Sequence, residues 1–293
     1  MQFLLQNSVN GLTTGALYAC IAIGFTLIFG IVQLIYFAQC EMAMLGAFSF
    51  AFSYLALDRI LPPIVSVPFA LMGAVIFTAL VSCTGQRLLL QPLRKAPKVK
   101  GLIASLGLSI VLQNAVALWI SPDELRFPFQ TSTRWVLMAV TITASQLIIV
   151  GSVAIVWLAV WAILYRTPTG RSIRAVAQSP DGALLMGIRM ERVVGLTFAV
   201  AAGTAAVGGI LMGFYNGTMR FDMGFIPGIK GFTVAILGGI GNIQGALVAG
   251  LCLGLAEGLF AGYISSDYRD VLAFGALISV LLLRPKGILG EEV

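Results

Sequence analysis

The feature that most constrains this chain is a run of apolar residues that recurs along its whole length. A helix crossing the hydrocarbon core of a bilayer needs about 20 such residues. Runs of this kind occupy 11–35, 38–57, 64–90, 102–120, 142–165, 193–215, 231–263 and 271–283. Lipid offers no partner to a backbone N–H or C=O, so each run must satisfy its own hydrogen bonds as a helix. The expected fold is all-α: a polytopic transmembrane helix bundle with about eight hydrophobic segments. Charge agrees. Only 10% of the 293 residues are charged and the mean hydropathy is +0.98, whereas soluble domains carry about 25% charged residues. The first run is too long for a signal-peptide core and has no basic residues before it, so it is expected to be a retained span. The whole of 1–293 is expected to form a single transmembrane domain.

The loops sort by charge. Arg87, Arg94, Lys95, Lys98 and Lys100 lie in loop 85–100. Arg166, Arg171, Arg174, Arg189 and Arg192 lie in loop 166–192, and Arg284 and Lys286 in the tail. The remaining basic residues, Arg59, Arg126, Arg134, Arg220, Lys230 and Arg269, stand near Asp58, Asp123, Glu124, Asp222, Asp267 and Asp270. The positive-inside rule makes the first set cytoplasmic and the second external. The net charge of +6 is then mostly a topology signal, and no nucleic-acid partner is needed to explain it. Counting back puts the N-terminus outside and the C-terminus in the cytoplasm. Residues 216–227 and 265–270 fall outside, so 231–263 must enter and return. Its turn is expected at Gly238–Asn242, with a first limb of about eight residues, too short to cross at 1.5 Å per residue. A broken or re-entrant segment fits, since irregular backbone at membrane depth survives where protein or a wet cavity surrounds it. The other reading is one kinked helix.

Small residues recur every fourth position at Ala246, Gly250, Gly254, Gly258 and Gly262, at Gly11, Gly15 and Ala19, and at Gly209, Gly213 and Gly217. Such ridges let helix backbones approach closely, so these glycines are read as helix packing, within the chain or against a second subunit. Two acids, Glu41 and Glu257, interrupt apolar runs. A charge at helix centre costs roughly 2.5–3.5 kcal/mol on insertion scales, so it faces a partner or a cavity. Gln39, Glu41, Asn242 and Glu257 are the candidate lining of a translocation path. Gln33, Gln113 and Asn114 are further buried-polar candidates.

Several chemistries are excluded. There is no His, which removes His-based acid–base work and His metal sites. The four cysteines, Cys20, Cys40, Cys83 and Cys252, form no CxxC pair and read as small buried hydrophobes. Neither a metal nor a cofactor is expected. No clustered catalytic groups suggest an enzyme, and Gly238-Gly-Ile-Gly-Asn242 lacks the Gly-Lys-Ser/Thr of a nucleotide-binding loop. Energy for uphill transport would have to come from a partner. Loop 166–192 is where such a partner would dock. Ser179 is placed to N-cap a short helix with Pro180 at its first position and Asp181 in its first turn. Leu184, Leu185, Met186 and Ile188 then give a small apolar face with no soluble domain to bury it. A helix resting on the membrane surface is the alternative.

The segments Gly170-Arg-Ser-Ile-Arg-Ala-Val-Ala-Gln178 and Asp181-Gly-Ala-Leu-Leu-Met-Gly-Ile188 resemble the coupling-loop region of ABC importer permeases. More closely, the chain resembles the branched-chain amino acid permease family. Matching blocks follow in order: Asn10-Gly-Leu-Thr-Thr-Gly-Ala-Leu-Tyr18, Phe37-Ala-Gln-Cys-Glu-Met-Ala-Met-Leu-Gly-Ala47, Ser105-Leu-Gly-Leu-Ser-Ile-Val-Leu-Gln-Asn114, Gly224-Phe-Ile-Pro-Gly-Ile-Lys230, Ala235-Ile-Leu-Gly-Gly-Ile-Gly-Asn-Ile-Gln-Gly-Ala246, Tyr268-Arg-Asp270 and Arg284-Pro-Lys-Gly-Ile-Leu-Gly290. The resemblance implies a permease in the bacterial inner membrane, paired with a second homologous permease subunit or a second copy of itself. It implies two cytosolic ATP-binding subunits that supply the energy, and an external substrate-binding protein. It also places ATPase coupling on Asp181, Gly182, Ala183, Leu184, Leu185, Gly187 and Ile188. Asp181 and Gly182 depart from the family's Glu-Ala-Ala-like pattern, and Cys40 stands where relatives usually carry Gly. Branched-chain amino acids are the expected cargo, with urea or short amides as the alternative within transport. An ATP-independent channel or secondary carrier is the alternative outside the ATP-driven class.

Overall fold

The computed structural model describes residues 2–93, 96–130, 133–137, 140–263, 265, 268–284 and 287. Arg94, Lys95, Asp267 and Lys286, which entered the charge argument, lie outside the described residues. Helix α1 (Gln2–Val32) is followed by α2 (Gln39–Leu57) and α3 (Pro63–Gly85). The last of these runs on through a π-helical turn, Gln86–Leu90, into a single turn, α4 (Gln91–Leu93). Next come α5 (Lys98–Trp119), α6 (Ala144–Arg166), α7 (Pro168–Gln178), α8 (Pro180–Leu185) and α9 (Met190–Asn216). The chain continues with α10 (Phe225–Gly238), α11 (Ile243–Tyr263) and α12 (Arg269–Leu283). Among the described residues, seven helical stretches are long and apolar enough to cross a membrane, and α10 is a shorter apolar helix.

Local chemistry explains the boundaries. Pro62 precedes α3 and Pro63 opens it, and Pro97 precedes α5. Proline suits a first turn, whose N–H groups have no helical acceptor. Thr143 and Gln146 form a reciprocal capping box at the start of α6. Gly217 closes α9 at φ 75°, the left-handed conformation that glycine adopts without strain.

The core lies along α1, α2 and α9, while α3, α5 and α6 turn most of their surface outward. Helix α1 packs most extensively on α11, and also on α9, α10 and α6. This explains why its sequence is apolar all round rather than amphipathic: it is wrapped by neighbours. Two small antiparallel ladders sit between the helices. Strand β1 (Leu125–Arg126) pairs with β4 (Thr218–Met219), and β2 (Arg134–Leu137) with β3 (Val140–Thr143). The sequence reading had no strand there.

The long run 231–263 is two helices and not one kinked helix. The first limb, however, is 14 residues, because α10 starts at Phe225, inside the stretch assigned to the external loop. At 1.5 Å per residue it rises about 21 Å, short of the roughly 30 Å hydrocarbon core. One charge was misplaced as a consequence. Lys230, counted with the external loops, lies in α10 and is buried. Cys20 and Cys40 are buried as expected, but Cys83 is half-buried and Cys252 exposed. Gln33 and Asn114 are exposed rather than buried; the Asn114 amide donates to its own helix at Ile110 O, 2.8 Å away.

Candidate translocation site and coupling face

Four arrangements carry the chemistry, and each grows from a local pattern. The first is the glycine seam. The ridge Gly250, Gly254, Gly258 and Gly262 faces Asn7, Gly11, Gly15 and Ala19 of α1. A Cβ added at Gly250 would stand 2.6 Å from the Ala19 Cβ, and one added at Gly11 would stand 2.6 Å from the Gly254 carbonyl oxygen. At Gly254 a Cβ would fall on the Gly15 backbone. The two ridges read separately in the sequence are therefore partners, and the seam is internal to the chain. Gly209 is spent in the same way against Ala43 of α2.

The second is the break between α10 and α11. Gly239 and Gly241 have φ of 90° and 95°, conformations closed to most side chains. Asn242 ends the break by capping the returning helix: its Oδ1 accepts from Gly245 N–H at 3.0 Å. Gly238 and Gly245 pack backbone to backbone where the two limbs diverge. The Asn242 side chain is thus at least partly a structural cap, a role that the Gly-Gly-Ile-Gly-Asn pattern allowed but did not dictate.

The third is a buried ion network. Lys230 Nζ lies 2.9 Å from a Glu257 carboxylate oxygen and 2.8 Å from Asp270 Oδ1. The Lys230 side chain is 4% exposed and that of Asp270 49%. The Tyr18 hydroxyl donates to Glu257 Oε2 at 3.0 Å and accepts from Lys230 Nζ at 3.3 Å. Helices α1, α10, α11 and α12 thus meet at one cluster. Sequence reasoning found Glu257 and missed Lys230. The signal was available: Lys230 adjoins the apolar stretch Gly231–Gly238, about two and a half turns before the break. A buried ammonium beside a buried carboxylate is held mainly because removing either leaves the other uncompensated.

The fourth group is around α2. Gln39 is fully buried and its Nε2 donates to Ala201 O of α9 at 2.7 Å, in space that Gly24 leaves open. Glu41 is equally buried; its Oε1 accepts from Ser109 Oγ at 3.0 Å and Gln113 Nε2 at 2.7 Å, both from α5. Its second oxygen has no hydrogen-bond partner. Glu41 lies in the first turn of α2, at the start of the span, yet it is wholly buried. The four path candidates therefore do not converge: Gln39 and Glu41 tie α2 to α9 and α5, Asn242 caps α11, and Glu257 closes the ion network.

Residues 167–188 form two short helices, the second capped by Ser179 as its sequence suggested. Thr167 caps α7 by accepting from Gly170 N–H at 3.1 Å. Gly170, Ile173 and Val176 turn one face of α7 inward, and Gly170 sits hard on the carbonyls of Ile163 and Leu164. Ser179 ends α7 and caps α8, accepting from Gly182 N–H at 3.1 Å, with Pro180 at the first position and Asp181 in the first turn. The far end of α8 is a paired closure. Gly187 N–H donates to Leu184 O and Ile188 N–H to Ala183 O, both at 3.0 Å, with Gly187 at φ 76°. This is the arrangement that satisfies the last carbonyls of a helix when a glycine follows it. Gly187 has open space around it, so its role is backbone conformation and not close approach.

The α8 side chains divide. Leu185 is 89% exposed and Met186 82%, and Leu184 also faces out. Ala183 is buried, and Ile188 packs against the chain's own interior beside it. The two residues grouped with the docking face therefore anchor α8, while Leu184, Leu185 and Met186 present it outward. Asp181 is exposed at the capped end.

Residues 7–281 match the family model described as branched-chain amino acid transport system, permease component. The chain is 37% identical over 299 residues to the high-affinity branched-chain amino acid transport system permease protein LivH of Escherichia coli (strain K12), covering 99% of this chain and 96% of that protein. It is 39% identical over 296 residues to the corresponding permease protein BraD of Pseudomonas aeruginosa, covering 98% and 96%. A probable branched-chain amino acid transport permease protein LivH of Methanocaldococcus jannaschii is 26% identical, covering 94% and 89%. With a family match over residues 7–281 and 37% and 39% identity to two of these permeases over nearly the full length, the chain belongs to the branched-chain amino acid transport permease family.

Proposed function

We propose that this chain is the membrane subunit of an ATP-driven importer for branched-chain amino acids, working by alternating access. The observation that carries the reading is α8. A short helix capped at both ends holds Leu185 and Met186 almost wholly exposed, although burying each would be worth roughly 1.5–3 kcal/mol. A helix so fixed, with anchors on one side and bare apolar side chains on the other, is shaped to enter a groove on another protein. The occupant we assign is a cytosolic ATP-binding subunit, two of which serve a pair of permeases formed with a homologous chain or a second copy. An external binding protein delivers the amino acid. This places α7, α8 and the C-terminus in the cytoplasm and the N-terminus outside, in the bacterial inner membrane. It also puts the break 239–242 near the route, since Gly241 is exposed beside a cavity of about 420 Å³ bounded by Gly30, Gln33 and Arg174. The branched-chain cargo rests on the substrates named for LivH and BraD.

The test is purification of the tagged chain from its native membrane, followed by ATPase assay and uptake in proteoliposomes. ATPase that co-purifies with wild type and is lost with Leu185→Asp supports the reading. Uptake of leucine that needs no ATPase would contradict it. ATP-driven uptake of urea and not of leucine would move the cargo and leave the mechanism standing.

A further inference from the structure

A cavity of about 320 Å³ opens at the end of the bundle that carries α7 and α8; it shares Ile31 and Lys98 with the cavity beside the break and none of its lining with the ion network. That is at the lower end of the range for small-ligand clefts, about 300–1,000 Å³. Its walls come from five places that the sequence keeps apart: the end of α1, the π-helical turn, the start of α5, Pro180 at the head of α8, and the start of α9. Most of the lining is aliphatic, with Ile31, Leu90 and Val194 among it. Two residues of opposite charge, Lys98 and Glu191, are among the lining residues, as is the largely buried Gln86. An apolar chamber with a few convergent polar groups is the usual build of a small-molecule site. One cation, one anion and an aliphatic wall match a zwitterion with a branched apolar side chain.

The backbone beside the cavity is strained. Gln33, between the lining residues Val32 and Leu34, has φ 50° and is the one non-glycine residue at positive φ among the described residues. Such conformations persist where the surroundings hold them and cluster at functional sites. The Gln33 N–H donates to Phe29 O at 2.8 Å, and Lys98 Nζ donates to Gln33 Oε1 at 3.4 Å. The π-helical turn is a second irregularity on the same wall, and such turns also concentrate at functional sites.

We propose that this cavity binds the free α-amino acid from the α8 side, as an inhibitory site for the transported product. The carboxylate meets Lys98, the ammonium meets Glu191, and the branched side chain lies among Ile31, Leu90 and Val194. Binding draws Lys98 from Gln33 and places a ligand against Pro180, the first residue of α8. Occupancy is thereby linked to the coupling helix, and uptake slows as product accumulates. The identity of the ligand rests on the cargo proposed above.

The experiment has two parts. In proteoliposomes holding the full importer, the initial rate of leucine uptake is compared with and without leucine on the α8 side. Wild type is expected to slow severalfold. Glu191→Gln, at an exposed position that lines this cavity and not the one beside the break, should keep the wild-type rate without internal leucine, and Lys98→Gln is compared with its own rate under that condition. Each should raise the internal concentration needed for inhibition about tenfold, the equivalent of one charged hydrogen bond. Val194→Trp, which fills the chamber, should abolish inhibition. A wild-type rate indifferent to internal leucine would overturn the proposal, and so would inhibition unchanged in all three variants. In the second part, equilibrium dialysis measures labelled leucine on the detergent-solubilised full chain without ATPase. Saturable binding weakened by Glu191→Gln supports the site even if ATP-driven uptake fails, because Glu191 does not line the cavity beside the break, which separates this proposal from the one it rests on. Absence of saturable binding, or binding equal in wild type and Glu191→Gln, contradicts it.

Discussion

The α1–α11 seam and helix α8 both depend on glycine, for opposite reasons. Along the seam Gly250, Gly254 and Gly258 stand where any side chain would strike the neighbouring backbone. At Gly187 nothing stands within 4 Å, and the residue is set by its φ of 76° alone. One glycine class is packing and the other is chain direction. The comparison teaches where substitution destroys the bundle and where it leaves the bundle intact and touches only what the bundle presents. Small-residue interfaces of the first kind hold membrane helices together by close contact, since lipid gives no hydrophobic drive between them.

The largest effect is expected at the seam. Gly254→Leu should prevent stable insertion and accumulation, because its side chain has only the Gly11 and Gly15 backbone to occupy. Overpacked cores commonly lose about 1–3 kcal/mol, and here no flexible atom can give way. Measured abundance in the membrane and thermal aggregation in detergent check this. A folded Gly254→Leu protein would mean that the α1–α11 contact is not the structural axis.

Next in size is the ion network. Lys230→Met leaves Glu257 buried without its cation and should destabilise by about 3–5 kcal/mol. Lys230→Met combined with Glu257→Met should recover much of that loss, because hydrophobic replacement of a whole buried pair is often neutral. Thermal unfolding in detergent separates the two. Equal stability of the single and double variants would remove the network from the list of what holds α10 to α11.

A smaller effect on folding, with a large one on transport, is expected at the opposite pole of the comparison. Gly187→Ala must hold a side chain at positive φ, a cost of about 1–2 kcal/mol, confined to the end of α8. The smallest effect belongs to Ser179→Ala, which removes one capping bond to Gly182 N–H and should cost about 1 kcal/mol. Both should leave membrane abundance at wild type while lowering coupled ATP hydrolysis, Gly187→Ala the more.

The same contrast explains what was legible in the sequence. The seam was legible because a fourfold spacing of small residues marks one helix face whatever lies opposite. The cap at Ser179 was legible because it acts within a few residues of itself. The break at Gly239–Asn242 announced itself through glycines in an otherwise helical run. Lys230 was not legible by the same means. The charge rule assigns a lysine to a loop from its neighbours in sequence, while this one is neutralised by Glu257 and Asp270 on other helices. Glu41 was legible as an acid that needs a partner, but the partners, Ser109 and Gln113, come from α5 and were not. Ile188 was grouped with Leu185 by hydrophobicity, and only the fold shows one turned in and the other out.

The central claim is that α8 transmits work from an ATP-binding subunit and has no part in holding the bundle. Gly187→Trp tests it most directly. The site lies in open space, so the variant chain should reach the membrane at wild-type abundance, its positive-φ strain of about 1–2 kcal/mol confined to the end of α8 as for Gly187→Ala. Substrate-stimulated ATP hydrolysis and leucine uptake, measured on the same reconstituted sample, should both fall to background. Wild-type uptake by a normally assembled Gly187→Trp complex would contradict the account.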